Sequence, residues 1–294
     1  MLSERDLNGI FVPTITPFSD DGALDLASYR RYLDALLGHD IQGLVVGGTT
    51  GEAPTVEWDE TIALVCATME AVREKGVGLP VVVGTGTNST AASVMRTEHA
   101  GQIGADAALV VVPYYSRPSQ EGIVEHFRRV SQVGVPVIVY EIPSRTGVRL
   151  EADTARRIME LDGVIGMKDS TGSTALLSAL VPTTGKPVLA GEDALLCDML
   201  LGGARGGILA SANIRTDDYL DVYRRFMRGD AAGAREAFER LLPWIERLFS
   251  ESNPAPLKWL LARRGVIASD ALRLPMSPIS AALRTELDAL LLAQ

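Results

Sequence analysis

Short, β-branched apolar runs alternate with amphipathic helical segments almost from end to end of this chain, and that alternation leaves few folds open. The strand candidates are Gly9–Ile15, Gly43–Val46, Val81–Gly84, Ala108–Val112, Val137–Tyr140, Val164–Met167, Val188–Ala190 and Gly207–Ala210. Helical periodicity fills the gaps, as in Thr55–Lys75, Ser89–Ile103, Gln120–Val133, Thr154–Leu161 and Ala194–Leu201. Runs such as LVVVP and VIVY are apolar on both faces, the pattern of parallel strands covered by helices. Glycine or proline marks several strand starts, in GVPVIVY, DGVIGMK and GKPVLAG. About eight βα units in series predict an α/β fold, the (β/α)8 TIM barrel, with a doubly wound open sheet as the competing arrangement.

Beyond the last strand the pattern turns wholly helical, over Thr216–Met227, Ala231–Phe249, Pro254–Arg263 and Ser280–Leu292. Residues 1–225 therefore read as a barrel carrying the chemistry, and 226–294 as a C-terminal helical extension. The 294 residues, 47% of them hydrophobic, suffice for one such barrel and its core. A net charge of −9 argues against nucleic acid or an anionic membrane as partner. The N-terminal MLSERDLNGI is charged where a secretory signal is apolar, so the expected location is cytoplasmic. Cys66 and Cys197 lie in apolar helical patterns and read as buried structural thiols. His39, His99 and His126 sit at helix-like positions, read as helix surface, with no partner at metal-ligand spacing; no metal site is expected.

Chemistry in such a barrel belongs at the carboxyl ends of the strands. Those ends read GGTTGE, PYYSRPSQEG, YEIPSRTG, MKDSTG, AGED and ILASAN. The chain uses arginine for most cations and has only Lys75, Lys168, Lys186 and Lys258 as lysines. Lys75 suits a helix C-terminus, Lys186 precedes a strand, and Lys258 lies in the helical extension. Lys168 alone directly follows an apolar strand. An amine surrounded by strand ends is partly desolvated and free to attack a carbonyl. The other reading is a buried ion pair with Glu141 or Asp169, although alternation puts Asp169 on the opposite face.

An imine-forming lysine needs a proton shuttle, and no histidine stands at a strand end. Tyr140, which ends the neighbouring strand, can serve through its phenol, or can be an amphipathic core residue. Thr49 and Thr50 offer hydroxyls and adjacent backbone N–H groups able to hold an α-keto carboxylate, though glycine-threonine turns also cap helices. Arg145 can fork onto a second carboxylate, or be a surface arginine. GTGTNST lacks the lysine of a phosphate loop and reads as a turn into a helix.

With Lys168, Tyr140, Thr49, Thr50 and Arg145 assembled, the chain resembles the dihydrodipicolinate synthase/N-acetylneuraminate lyase family. The resemblance runs from VPTITPF through GTTGE, VVPYYSRPSQEG, YEIPSRTG and IGMKDSTG to NPAPLKW and LRLPMSP. PYYSRPSQEG with PSRTG points to the synthase branch, because sialic-acid lyases do not usually carry that arginine. The resemblance implies an imine between Lys168 and pyruvate, condensed with L-aspartate-4-semialdehyde in lysine and diaminopimelate biosynthesis. It implies a proton relay of Tyr140 and Thr50, completed by Tyr115 of a neighbouring subunit. Thr49 and Thr50 would hold the pyruvate carboxylate and Arg145 that of the aldehyde. Gly191 and Ile208 match positions lining the pocket. A homotetramer built as a dimer of dimers is implied, with no metal or organic cofactor.

Other members of the superfamily act on sugar acids or other 2-keto acids, and a silent small-molecule binder would need no nucleophile. Three departures bear on the aldehyde. Glu141 stands where Asn or Asp is usual, Asp169-Ser170 where Glu-Ala or Asp-Ala is usual, and Gly191-Glu192-Asp193 where Gly-Asp-Asp is commoner. Lysine-inhibited members carry a glutamate at the position of Ala92, so lysine feedback is expected to be weak or absent; Asn88 and Tyr114 match that site, while Trp58 stands where many bacterial enzymes have histidine.

Overall fold

The computed structural model describes residues 1–292. Eight parallel strands close into a barrel in chain order. They are β1 (Gly9–Pro13), β2 (Gly43–Val46), β3 (Val81–Gly84), β4 (Ala107–Val111), β5 (Val137–Glu141), β6 (Val164–Asp169), β7 (Val188–Ala190) and β8 (Gly206–Ile208). Closure is made by β8 on β1, with Gly9 opposite Gly206 and Phe11 opposite Ile208. The expected TIM barrel is the one observed, and the open sheet is excluded.

The chain divides into two compact units. One consists of Met1–Phe11, Gln42–Val45 and Pro80–Leu209, and holds the barrel strands save the last residues of β1 and β2. Its centre is a single apolar cluster drawn from alternate strand positions: Phe11, Val45, Val82, Leu109, Ile138, Tyr140, Ile165, Leu189 and Ile208. Burying each aliphatic side chain there contributes roughly 1.5–3 kcal/mol. Gly43 makes room for Phe11, since a Cβ on it would lie 2.2 Å from the Phe11 ring. Helices between strands start on local signals: Ser89 caps the helix Thr90–Gln102 and Ser119 caps Gln120–Ser131, each hydroxyl accepting an orphan N–H.

The other unit comprises Val12–Ile41, Val46–Leu79 and the chain from Ala210 onward. After β8 only helices follow among the described residues: Thr216–Met227, Ala231–Glu239, Leu242–Leu248, Ala255–Arg263 and Ala281–Leu292. The single helix expected over Ala231–Phe249 is two. Pro243, in the first turn of the second, has no N–H to donate and its ring clashes with the preceding turn. Among the described residues no helix is long and apolar enough to cross a membrane.

Candidate active site

The strand carrying Lys168 runs further than its apolar run suggests, so the lysine is the last residue but one of β6. It stands in register with Tyr140 of β5 on one side and Leu189 of β7 on the other. Tyr140 and Leu189 both belong to the inner apolar cluster, so pleating turns Lys168 inward with them. The residue is 7% exposed, and Nζ lies 4.1 Å from the centre of the Tyr140 ring. Among the described residues Nζ has no carboxylate within ion-pair distance and no hydrogen-bond acceptor. The ion-pair reading is thereby removed. Glu141 and Asp169 face the other way, with Glu141 Oε1 accepting from Leu150 N and Asp169 Oδ1 from Thr171 N.

Gly191, one residue past β7, explains how the lysine fits. A Cβ there would come within 2.1 Å of Ser170 Oγ, 2.8 Å of Lys168 Cε and 3.0 Å of Lys168 Cγ. Ile208 ends β8 within the inner cluster, 1% exposed, alongside Tyr140 and Leu189. Arg145 lies on the four-residue helix Pro143–Thr146 after β5 and is exposed.

Between them acts a residue that the sequence marked only as a departure. Desolvation, and then the charge of Asp193, raise the Glu192 carboxyl above its usual range, while Lys168 and Arg145 pull it down. Glu192 thus lies within electrostatic reach of the β6 lysine and the β5-loop arginine together. The signal that could have found it is its place directly after Gly191.

Tyr115 is 89% exposed on the loop after β4, held at a left-handed φ of 71°. It makes no hydrogen bond or ring contact among the described residues of its own chain.

In the other unit, Thr49 and Thr50 open a single 3-10 turn, Thr49–Gly51, at the carboxyl end of β2. The backbone N–H groups of both find no acceptor among the described residues, which leaves two adjacent donors for an anion. Thr50 Oγ1 accepts from Asn253 Nδ2 at 3.2 Å, and Thr16 Oγ1 donates to the Gly51 carbonyl at 2.7 Å. Next along, Glu52 adopts a left-handed φ of 55° and its Oε1 is 2.7 Å from Lys258 Nζ, both side chains buried. Desolvation lowers the Lys258 ammonium below its ordinary value, and Glu52 offsets part of that. Nζ also lies 4.3 Å over the Phe18 ring. Lys258, read from sequence as a member of the helical extension alone, therefore anchors the turn that follows Thr50. Its partner is 206 positions away, a separation at which periodicity carries no signal.

Two expectations need correction. His126 is not on a helix surface: it is 2% exposed, its Nδ1 lies 3.0 Å from Thr90 Oγ1, and burial pushes it down to about 4. Cys66 is exposed rather than buried, while Cys197 is buried as expected. A cavity of about 520 Å³ lies in the second unit, lined among others by Tyr32, His39, Asn213, Arg215 and Arg264. None of the candidate residues lines it. Its His39 faces Asp217 and its Arg215 faces Asp218, at 2.7 Å and 2.5 Å. Among the described residues no group of three or more His, Cys, Asp or Glu is placed to hold a metal.

Known proteins share this arrangement over the whole chain. The family model of the dihydrodipicolinate synthetase family matches residues 6–294. The 4-hydroxy-tetrahydrodipicolinate synthase of Thiobacillus denitrificans is 41% identical over 275 residues, covering 92% of each chain. Among solved structures, dihydrodipicolinate synthase from Thermotoga maritima superposes with a TM-score of 0.93 at 35% identity, covering 97% of this chain and 98% of its own. A chloride-inhibited dihydrodipicolinate synthase from Acinetobacter baumannii, solved in complex with pyruvate, gives 0.93 at 33% identity over 97% and 98%. A match of this length and identity settles the family: the chain belongs to the dihydrodipicolinate synthetase family.

Proposed function

We propose that this chain condenses pyruvate with L-aspartate-4-semialdehyde to give 4-hydroxy-tetrahydrodipicolinate, through an imine on Lys168. The observation that carries the reading is the inward Lys168 amine, unpaired and 4.1 Å from the Tyr140 ring. Its free amine attacks C2 of pyruvate, and loss of water from the carbinolamine gives the imine. Removal of a C3 proton gives an enamine, whose C3 attacks the aldehyde carbon. The amino group of the semialdehyde then attacks C2 and displaces Lys168, closing the ring. Tyr140 and Thr50 pass the protons, with Tyr115 of a second copy completing the relay. That role suits a tyrosine left 89% exposed on its own chain, and a homotetramer of paired dimers supplies the second copy. The unclaimed N–H groups of Thr49 and Thr50 hold the pyruvate carboxylate, Arg145 binds that of the semialdehyde, and Gly191 and Ile208 line the pocket. The imine is itself the electron sink, so the reaction needs no metal or organic cofactor, and it runs in the cytoplasm. Ala92 leaves lysine feedback weak or absent.

Borohydride reduction in the presence of pyruvate, followed by peptide mass analysis, tests the imine; an unmodified Lys168 would end the reading. Glu192 favours one second reading, an aldolase for hydroxyl-bearing sugar acids, because a carboxylate within electrostatic reach of Arg145 can accept hydrogen bonds from substrate hydroxyls. Turnover with the semialdehyde, N-acetylneuraminate and 2-keto-3-deoxygluconate in parallel decides between the two.

A further inference from the structure

The residues directly after Tyr140 and Lys168 are both acids, and the barrel register sets them side by side. Glu141 is opposite Asp169 in the β5–β6 pairing, one step beyond Tyr140 opposite Lys168. Adjacent strands lie about 4.8 Å apart, and successive side chains take opposite faces. The inward pair is therefore the lysine and the phenol; the pair on the other face is two carboxyls. Both are buried, 0% and 2% exposed.

Each carboxyl has one oxygen satisfied, by Leu150 N at 2.9 Å and Thr171 N at 2.9 Å. The remaining Glu141 Oε2 and Asp169 Oδ2, and the neighbouring Ser170 Oγ, are buried with no hydrogen-bond partner among the described residues, although the Thr171 side chain and the Leu177 backbone also act on the Asp169 carboxyl. The cation acting on both carboxyls is Arg149, which is exposed and donates to the Thr171 carbonyl at 3.3 Å rather than to either acid. Glu192, from the loop after β7, also senses Asp169. Two buried negative charges with two unpartnered oxygens are costly by several kcal/mol.

We propose that Glu141 and Asp169 together retain one proton at neutral pH, and that this half-protonated pair positions the two strand ends that present Tyr140 and Lys168. The retained proton gives one of the empty oxygens a donor and removes the repulsion between the strands. Burial pushes the Glu141 carboxyl up to about 7 and Asp169 upward as well, the direction such a pair requires. When the proton leaves, the second charge repels the first and the ends of β5 and β6 are driven apart, with the inward pair losing its alignment. Glu141 and Asp169 are positioning residues in this account, acting through Tyr140 and Lys168. The activity arm rests on the imine reading above; the proton itself does not.

The direct test is infrared difference spectroscopy of the intact protein against Glu141→Gln. A protonated-carboxyl band at pH 6 that fades through pH 7 to 8, and is absent from the variant, is expected. The same pair of proteins is then compared in kcat against pH. The parent shows a descending limb with a midpoint near 7, falling by at most about tenfold per pH unit, and E141Q lacks that limb while its KM for pyruvate stays close to the parent's. Asp169→Asn repeats both measurements should E141Q fold poorly. Absence of the carboxyl band at pH 6 overturns the proposal, as does an alkaline limb unchanged in both variants. Should pyruvate trapping on Lys168 fail in the parent, the infrared band still decides the shared proton.

Discussion

Gly191→Ala is a one-methyl change that reaches the side chain of Lys168, the proposed imine-forming residue, and the geometry fixes what it must do. The added methyl would lie 2.1 Å from Ser170 Oγ and 2.8 Å from Lys168 Cε, both inside the closest approach that real Cβ atoms show. Neither neighbour has free room. Ser170 is 2% exposed, and the Lys168 stem is held between β5 and β7. Overpacking of this kind costs roughly 1–3 kcal/mol of stability. The larger effect is on position, because the lysine stem must give by several tenths of an ångström or more to clear the methyl. A misplacement on the order of 1 Å costs about 10²-fold in rate. The expected result is a G191A protein that folds, with a slightly lower urea midpoint and kcat reduced about 30- to 300-fold. The rate of borohydride-trappable imine formation with pyruvate should fall in parallel. If G191A forms the imine and turns over within threefold of the parent, the packing of Gly191 against Lys168 does not position the amine, and the argument fails.

Two further outcomes follow from buried charge. Lys258→Met removes the cation paired with Glu52 in a site only 1% exposed and leaves the carboxylate only the Arg273 N–H at 3.3 Å, so urea unfolding should show a loss of about 3–5 kcal/mol, most of it restored in the E52Q/K258M double variant; a single-variant loss under about 1 kcal/mol would mean that Glu52 is not confined there. Glu141 has its folded value raised from 4.5 to about 7, so it is protonated in both states below pH 4.5 and only in the folded state between the two. Stability is therefore lost as pH rises through that window, by roughly 3 kcal/mol, and levels off above 7. Denaturant titrations of the parent and E141Q should therefore lie closest at pH 4.5, where both side chains are neutral in the folded state, and by pH 8 the parent should have lost stability relative to E141Q; a gap that stays constant with pH would remove Glu141 as the cause.

The barrel was legible because its strands are buried on both faces, which leaves continuous apolar runs that mark each strand to within one or two residues. Lys168 and Tyr140 were legible for a related reason: a polar residue closing an apolar run stands out. What the sequence hid depends on register and on distance along the chain. Glu52 with Lys258 is an ion pair between a turn and a helix far apart in sequence, and each residue alone looks like an ordinary surface charge. The Glu141–Asp169 pairing depends on an irregularity between β5 and β6 near Val137 and Ile138, which shifts the register by one residue and cannot be counted from alternation. His126 was misread because its apolar surroundings, Phe127 and the facing Thr90 helix, come from tertiary packing rather than from its own helical period.

Alternation along β5 and β6 also sorts the three departures by what they can affect. Glu141 and Asp169 lie on the face away from Lys168, so their chemistry reaches substrate only through strand position. They can change how rate depends on pH, and they present no group to an aldehyde. Glu192 differs in kind. It follows Gly191 directly, and its carboxyl senses both Lys168 and the arginine proposed to hold the second carboxylate. Within electrostatic reach of Arg145, it would compete for the guanidinium in the proposed reaction and would offer an acceptor to a hydroxyl on the incoming aldehyde. On the proposed roles, a substrate with a carboxylate would share Arg145 with Glu192, whereas a hydroxylated one would gain a partner. The balance between semialdehyde and sugar-acid turnover therefore turns on Glu192, and shortening it in Glu192→Asp should move that balance while the two outer acids should not.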